Sequence, residues 1–102
     1  MRQCRLHAAG IEGVDGYLVT VEASRSDSAG LGRTTVVGLP DAAVREGIDR
    51  VVPACHASGL AAGPGSDQLV INLAPADRRK EGPAFDLAIA LALACTHPDN
   101  DL

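Results

Sequence analysis

The chain has 102 residues, 46% of them apolar and 2% aromatic, and a formal net charge of −4 from 13 acidic and 9 basic side chains. That length suits one small domain with a core of its own, and with Tyr17 and Phe85 as the only aromatics the core must be aliphatic and rich in alanine. The acidic balance argues against a dedicated nucleic-acid module, because phosphate binding draws on an excess of Lys and Arg, although one local basic cluster could override it.

The first strand is expected over Gln3 to Ala9. Gly13 and Gly16, flanking Asp15, mark a turn into a second strand in which Tyr17, Val19, Val21 and Ala23 alternate with Leu18, Thr20 and Glu22. After a polar loop from Ser24 to Ala29, the β-branched run Arg33 to Val37 reads as a third strand, so the first three strands suggest a meander. Pro40 then presets φ for a helix start, with Asp41 beside it at the positive end of the dipole. Val44, Ile48, Val51, Val52 and Cys55 fall on one helical stripe, away from Arg45, Glu46, Asp49 and Arg50. Pro53 lacks an N–H for the Asp49 carbonyl, which predicts irregular geometry from Pro53 to Ser58.

Gly59 to Asp67, with Gly63-Pro64-Gly65-Ser66, is a loop by composition and lacks the Lys and hydroxyl of a Walker A phosphate cradle. Gln68 to Ala74 is nearly all apolar, as for a strand buried on both faces, and the amide of Asn72 is expected to find partners by fixing the following turn. Pro83 opens a second helix. From Ala84 to Cys95 it is apolar almost all round, with Phe85, Ile89 and Ala92 on one stripe and Leu87, Leu91 and Ala94 on another. Such a helix needs cover on both sides, from further chain or another subunit. The expectation is therefore a fragment, with residues 1–97 as the domain and 98–102 as a tail. The fold class that results is α/β, a mixed sheet of about four strands covered by two helices in the order β-β-β-α-β-α.

Candidate sites are few. Arg78, Arg79 and Lys80 form the one basic cluster, in a loop leading to a helix N-terminus, and are the residues to test for DNA or phosphate contact. Asp77 and Glu81 flank them, so the plainer reading is a solvated loop with local pairing. Asp86, in the first turn of the apolar helix, reads as a structural cap accepting backbone N–H groups rather than as a catalytic acid. Cys55 with His56, Cys95 with His97, and His7 lack zinc-knuckle spacing, so neither a metal nor another cofactor is expected in this chain. Cys4, Cys55 and Cys95 are odd in number and scattered, which fits a reducing cytoplasm rather than a disulfide framework. The longest apolar segment, Leu87 to Cys95, is short of the about 20 residues that span a bilayer, so no membrane partner is expected.

Two segments are more particular than any of these. They are Val37-Gly38-Leu39-Pro40-Asp41-Ala42-Ala43-Val44-Arg45-Glu46 and the longer stretch from Asn72 through Leu87, which contains Asn72-Leu73-Ala74-Pro75-Ala76-Asp77 and Gly82-Pro83-Ala84-Phe85-Asp86. Together they resemble the N-terminal domain of bacterial magnesium-chelatase-related ATPases of the ComM type. The resemblance rests on Gly38, Pro40, Asp41, Asn72, Pro75, Asp77, Gly82, Pro83 and Asp86, and covers nearly the whole chain. It implies the fold shared by the Lon protease C-terminal domain and the GHMP kinases, here truncated.

Active Lon-type proteases carry a serine nucleophile in a Gly-Pro-Ser-Ala-Gly context, and the matching position here is Ala84. A Ser-Lys dyad also needs a lysine base, and Lys80 is the only lysine. The serines Ser24, Ser26, Ser28, Ser58 and Ser66 all fall in expected loops or at a helix end. The resemblance thus implies a domain without peptidase chemistry, attached to a downstream AAA+ motor that would hold ATP and Mg. Such motors look like hexamers that act in branch migration, recombination and uptake of foreign DNA; a porphyrin reaction is not implied. The family pattern has an aliphatic residue where Arg78 stands. An assembly or DNA-guiding domain is the leading expectation, a protein-recognition module that recruits a partner without DNA is the alternative, and an enzyme with an unrecognised site is a third. An unpaired sheet edge and an uncovered helix would favour self-association.

Overall fold

A computed structural model of the chain describes residues 2–27, 32–78, 80 and 83–101. Four strands form one sheet in the order β1-β2-β4-β3. β1 (Arg2–Glu12) and β2 (Asp15–Asp27) make a hairpin about Gly13 and Val14, with Gly13 at φ 64°, and pair without interruption from Arg2↔Arg25 to Glu12↔Asp15. Both strands outrun the expected spans.

The predicted meander does not form. β3 (Arg33–Val37) lies parallel to β4 (Asp67–Ala74), with Val36 opposite Ile71, while β4 pairs antiparallel with β2 on its other side. A parallel pair needs a long crossover, and α1 (Ala42–Ala57) lies between the two strands in the chain and supplies it. β4, carrying the fully buried Leu69, Ile71 and Leu73, takes the interior position that β3 would hold in a meander.

Among the described residues only one face of the sheet is covered. Val19, Val21 and Ala23 of β2 and Leu69, Ile71 and Leu73 of β4 are buried against the helices, while Asn72 is exposed on the open face. The double-sided burial expected of β4 is therefore corrected to the alternation of a half-covered mixed sheet. Asn72 has water available, and among the described residues its amide makes no hydrogen bond to the turn at Ala76 and Asp77. The same open face carries an ion pair between Arg5 and Glu22 at 2.8 Å and a contact between Thr20 Oγ1 and His7 Nδ1 at 3.4 Å. Ser24 and Ser26, expected in a loop, belong to β2.

α1 starts one residue after its cap. Asp41 is the N-cap, its carboxylate accepting the Val44 N–H at 2.8 Å, so Pro40 precedes the cap rather than occupying the first turn. Such a cap stabilises by about 1 kcal/mol. The helix then continues through Pro53 to Ala57, against the irregularity expected there. Pro53 is exposed while Val51 and Cys55 beside it are buried, so the missing hydrogen bond falls on the solvent side and the buried stripe holds the helix together.

The loop after α1 is anchored from two sides. Arg25, buried at the end of the β2 inward face, donates to the Gly63 carbonyl at 2.7 Å, the Pro64 carbonyl at 3.2 Å and the Asp67 carboxylate at 3.1 Å. Asn100, in the segment set apart as a tail, donates to the Ala61 carbonyl at 2.6 Å and the Ala94 carbonyl at 2.9 Å. A single 3-10 turn (Pro83–Phe85) leads into α2 (Asp86–Thr96). Phe85, Ile89, Ala92, Leu93 and Ala94 enter the core, and each large apolar side chain among them contributes about 1.5–3 kcal/mol of burial. Leu87 and Leu91 face outward, 72% and 42% exposed.

Candidate functional site

The two distinctive sequence segments meet at one residue. Lys80 is fully buried, and its ammonium donates to the Gly38 carbonyl at 2.7 Å and to the Pro75 carbonyl. Its backbone N–H donates to the Leu39 carbonyl at 2.9 Å, and its own carbonyl accepts the Asp41 N–H at 2.9 Å. Pro40 and Lys80 thereby form an isolated parallel bridge. Burial lowers the Lys80 pKa from its ordinary 10.5, and nearby Asp77 opposes that shift.

This loop crossing constrains the backbone. Gly38 stands at φ 105°, and a Cβ there would lie 2.0 Å from the Leu73 carbonyl oxygen, so no side chain fits. Leu39 follows at φ 58°, and the Ala74–Pro75 peptide is cis. Gly38, Pro40, Asp41, Pro75 and Lys80 are thus brought together; Arg79 and Gly82 lie outside the described residues, as does Glu81.

The basic cluster divides. Lys80 faces the interior and cannot serve as the surface contact expected of it, since its amine is held by protein carbonyls. Arg78 is exposed, with its guanidinium 4.6 Å from the centroid of the Tyr17 ring. A cation over an aromatic face is held by the ring quadrupole.

Asp86 also differs from expectation. Rather than accepting backbone N–H groups, its carboxylate pairs with Arg50 of α1, Oδ2 lying 3.1 Å from Nε and Oδ1 3.3 Å from Nη2. Residue 85, a phenylalanine, occupies the N-cap of α2 and supplies no side-chain cap. Arg50 also donates to the Ala43 carbonyl at 3.2 Å. The helices approach closely here because Gly47 has no side chain: a Cβ would lie 2.6 Å from Asp86 Oδ1.

Ala84 is exposed in the 3-10 turn and lines a cavity of about 420 Å³ with Gly10, Ile11, Tyr17, Asp41 and Phe85. Its methyl group offers nothing to attack a carbonyl. Sequence reasoning missed one pairing: Cys4 of β1 and Cys95 of α2 meet, and burial followed by the hydrogen bond to Cys95 pushes the Cys4 thiol up to about 11. All three cysteines are free thiols. Cys4 falls on the inward face of β1 by alternation with Leu6 and Ala8, which is the signal that could have located it.

Residues 21–101 match the family described as subunit ChlI of Mg-chelatase. The chain belongs to that ChlI family. This ChlI domain is 43% identical over 88 residues to the uncharacterised protein YifB of Escherichia coli, which covers 86% of the chain but 17% of YifB. It is 41% identical over 81 residues to the competence protein ComM of Haemophilus influenzae, covering 79% of the chain and 15% of ComM. An uncharacterised Mycobacterium tuberculosis protein is 37% identical over 92 residues, 87% of the chain and 17% of its own length. The ChlI domain thus spans about one sixth of the curated relatives it matches. Among its described residues no helix is long and apolar enough to cross a membrane.

Proposed function

We propose that this chain is a non-catalytic assembly domain of a ComM-like, magnesium-chelatase-related AAA+ ATPase. ATP and Mg would be held by a motor elsewhere in the parent protein, and the domain would help arrange its copies, a hexamer by resemblance. The observation that carries the reading is the use made of the two shared segments. Asp41 caps α1, Lys80 ties two loops, Asp86 joins two helices, and Ala84 stands at the nucleophile position. Every one of these is architecture. Leu87 and Leu91, one helical turn apart and exposed, are the natural contact ridge.

Sedimentation of the chain over a range of concentrations tests assembly. Association that Leu87→Glu with Leu91→Glu abolishes supports it; a monomer throughout, with the variant identical, removes it. Peptidase and ATPase assays on the pure chain should read zero, and reproducible turnover would replace the reading with an enzyme. A DNA-guiding role in branch migration or transformation would rest on Arg78 with Arg79. Duplex binding that falls steeply with salt and disappears in Arg78→Ala with Arg79→Ala supports it, and no binding at low salt sinks it.

Recruitment of a partner protein without DNA is the second reading. The net charge of −4 and the loss of Lys80 to the interior favour it over the DNA role.

A further inference from the structure

β1 is an edge strand. Among the described strands it pairs with β2 alone, and the pairing runs its full 11 residues without a bulge. Proteins ordinarily blunt such edges with Lys or Arg, proline, a bulge or short length. Between Arg5 and Glu12 the run Leu6-His7-Ala8-Ala9-Gly10-Ile11 has none of these. The opposite edge, β3, is 5 residues long and opens on Arg33.

The cavity of about 420 Å³ opens against this unguarded run, at Ala9, Gly10 and Ile11. Gly10 shapes it: a Cβ there would lie 2.5 Å from Tyr17 Cζ, so the absent side chain lets the Tyr17 ring cross the strand as one wall. Arg78, stacked on that ring, holds it in place. Phe85 and Ala84 also line the cavity, and Ile11 of its lining is 81% exposed.

We propose that β1 and this cavity form a docking site for an extended peptide. Its backbone adds to the free edge at Ala9 to Ile11, and a bulky apolar side chain enters the cavity between Tyr17 and Phe85. Main-chain pairing at an edge supplies affinity in such complexes, and a pocket beside it supplies the choice of side chain. A second copy of the chain fits the edge but not the cavity. Paired about Ala9 it would set its own Ala9, Ala8 and His7 opposite Ala9, Gly10 and Ile11, and Ala8, opposite Gly10 on the Tyr17 side of the strand, is too small to fill the space. The net charge of −4 selects against an acidic peptide. This deepens the recruitment reading by naming its ligand, and it makes no demand on the assembly reading.

The test uses the whole chain and five end-capped, fluorescent octapeptides. Each alternates Thr with Val, has a Lys at either end, and differs from the others only at a central Gly, Ala, Val, Leu or Phe. Anisotropy titration should show affinity rising from Gly to Leu by about 10-fold or more, the worth of burying a leucine side chain. Ala84→Phe, at an exposed turn, fills the cavity and should weaken the Leu peptide about 10-fold more than the Gly peptide. N-methylation of alternate backbone nitrogens on the pairing side should abolish binding of all five. Equal affinity for Gly and Leu, or no binding at millimolar peptide, overturns the site. A chain that sediments as a dimer through Ala9→Lys-sensitive contacts and excludes the peptides assigns the edge to a second copy instead. Sedimentation of the Leu87→Glu, Leu91→Glu variant reads the assembly role separately, so failure of one leaves the other standing.

Discussion

The ammonium of Lys80 lies 2.7 Å from the carbonyl oxygen of Gly38, 42 residues earlier in the chain, and this contact joins the two most distinctive segments of the sequence. The only lysine of the sequence is thereby committed to the interior. Lys80→Ala strands the Gly38 and Pro75 carbonyls and removes the packed stem. It should destabilise the fold by about 3 kcal/mol, read as a lower urea midpoint. A change under 0.5 kcal/mol would mean that water replaces the amine without loss.

The same residue gives a pH signature of known sign. Burial lowers the Lys80 pKa below 10.5, so just below 10.5 the unfolded chain holds more protons than the folded one. Stability should therefore rise with pH through that window. Cys4 acts in the opposite sense, because its folded pKa is raised from 9.0 to about 11. Its contribution is complete below 9.0 and is lost as pH climbs to about 11. Urea titrations at a series of pH values should show that Lys80→Met removes the rising component. Cys4→Ser should remove a falling component of up to about 3 kcal/mol. Identical pH profiles for both variants and the parent would exclude the assigned shifts.

Gly38 tests the loop crossing from the other side. Its φ of 105° and the Leu73 carbonyl oxygen 2.0 Å from a built Cβ leave no room for a methyl group, and the obstacle is backbone. Gly38→Ala should cost about 3 kcal/mol or more and broaden the amide spectrum around Leu73 and Lys80. Gly59→Ala is the control. It shares a positive φ, 82°, but meets nothing within 4 Å, and should lose only about 1 kcal/mol.

The sequence carried more of the fold than of the site, and the physical reasons differ by element. Alternation in β2 and the stripe of α1 are local patterns, so both elements were legible. The partner of β3 was not, because pairing is settled by which strand buries most apolar surface, and that is a property of β4 and not of β3. The inward alternation of Val19, Val21 and Ala23 continues to Arg25, whose charge concealed a buried anchor for the Gly63 to Asp67 loop. At the site, a run of three basic residues reads as one patch in sequence. A loop has no fixed period, so nothing local shows that Lys80 turns inward while Arg78 turns out onto Tyr17.

Pro53 was the clearest local conflict, a helix breaker inside an otherwise regular amphipathic stripe. α1 passes through it because Val51 and Cys55 are buried and Pro53 is exposed. The conflict is then an unrelieved local cost rather than a break. Pro53→Ala restores an N–H toward the Asp49 carbonyl and a better helix former at an exposed position. It should raise stability by about 1–3 kcal/mol in urea unfolding, with no change in self-association. A loss of stability would show that the proline shapes a contact outside the helix.

Gly47 and Asp86 make the sharpest test of how the helices meet. Alanine is favoured over glycine inside a helix by about 1 kcal/mol, so Gly47→Ala would stabilise α1 taken alone. In place, the new Cβ would sit 2.6 Å from Asp86 Oδ1 and push the carboxylate from Arg50. That pair is partly exposed, with side-chain accessibilities of 48% for Arg50 and 27% for Asp86, so solvent holds its worth to under about 1 kcal/mol. Crowding and the lost pair together should make Gly47→Ala destabilising in the parent by about 1 kcal/mol. In an Asp86→Ala background the obstacle is absent, and the same change should stabilise by about 0.5–1 kcal/mol. Four urea midpoints close the cycle. A Gly47→Ala effect of the same sign and size in both backgrounds would show that the helices do not approach through Asp86, and that the Asp86 position reports only on the start of α2.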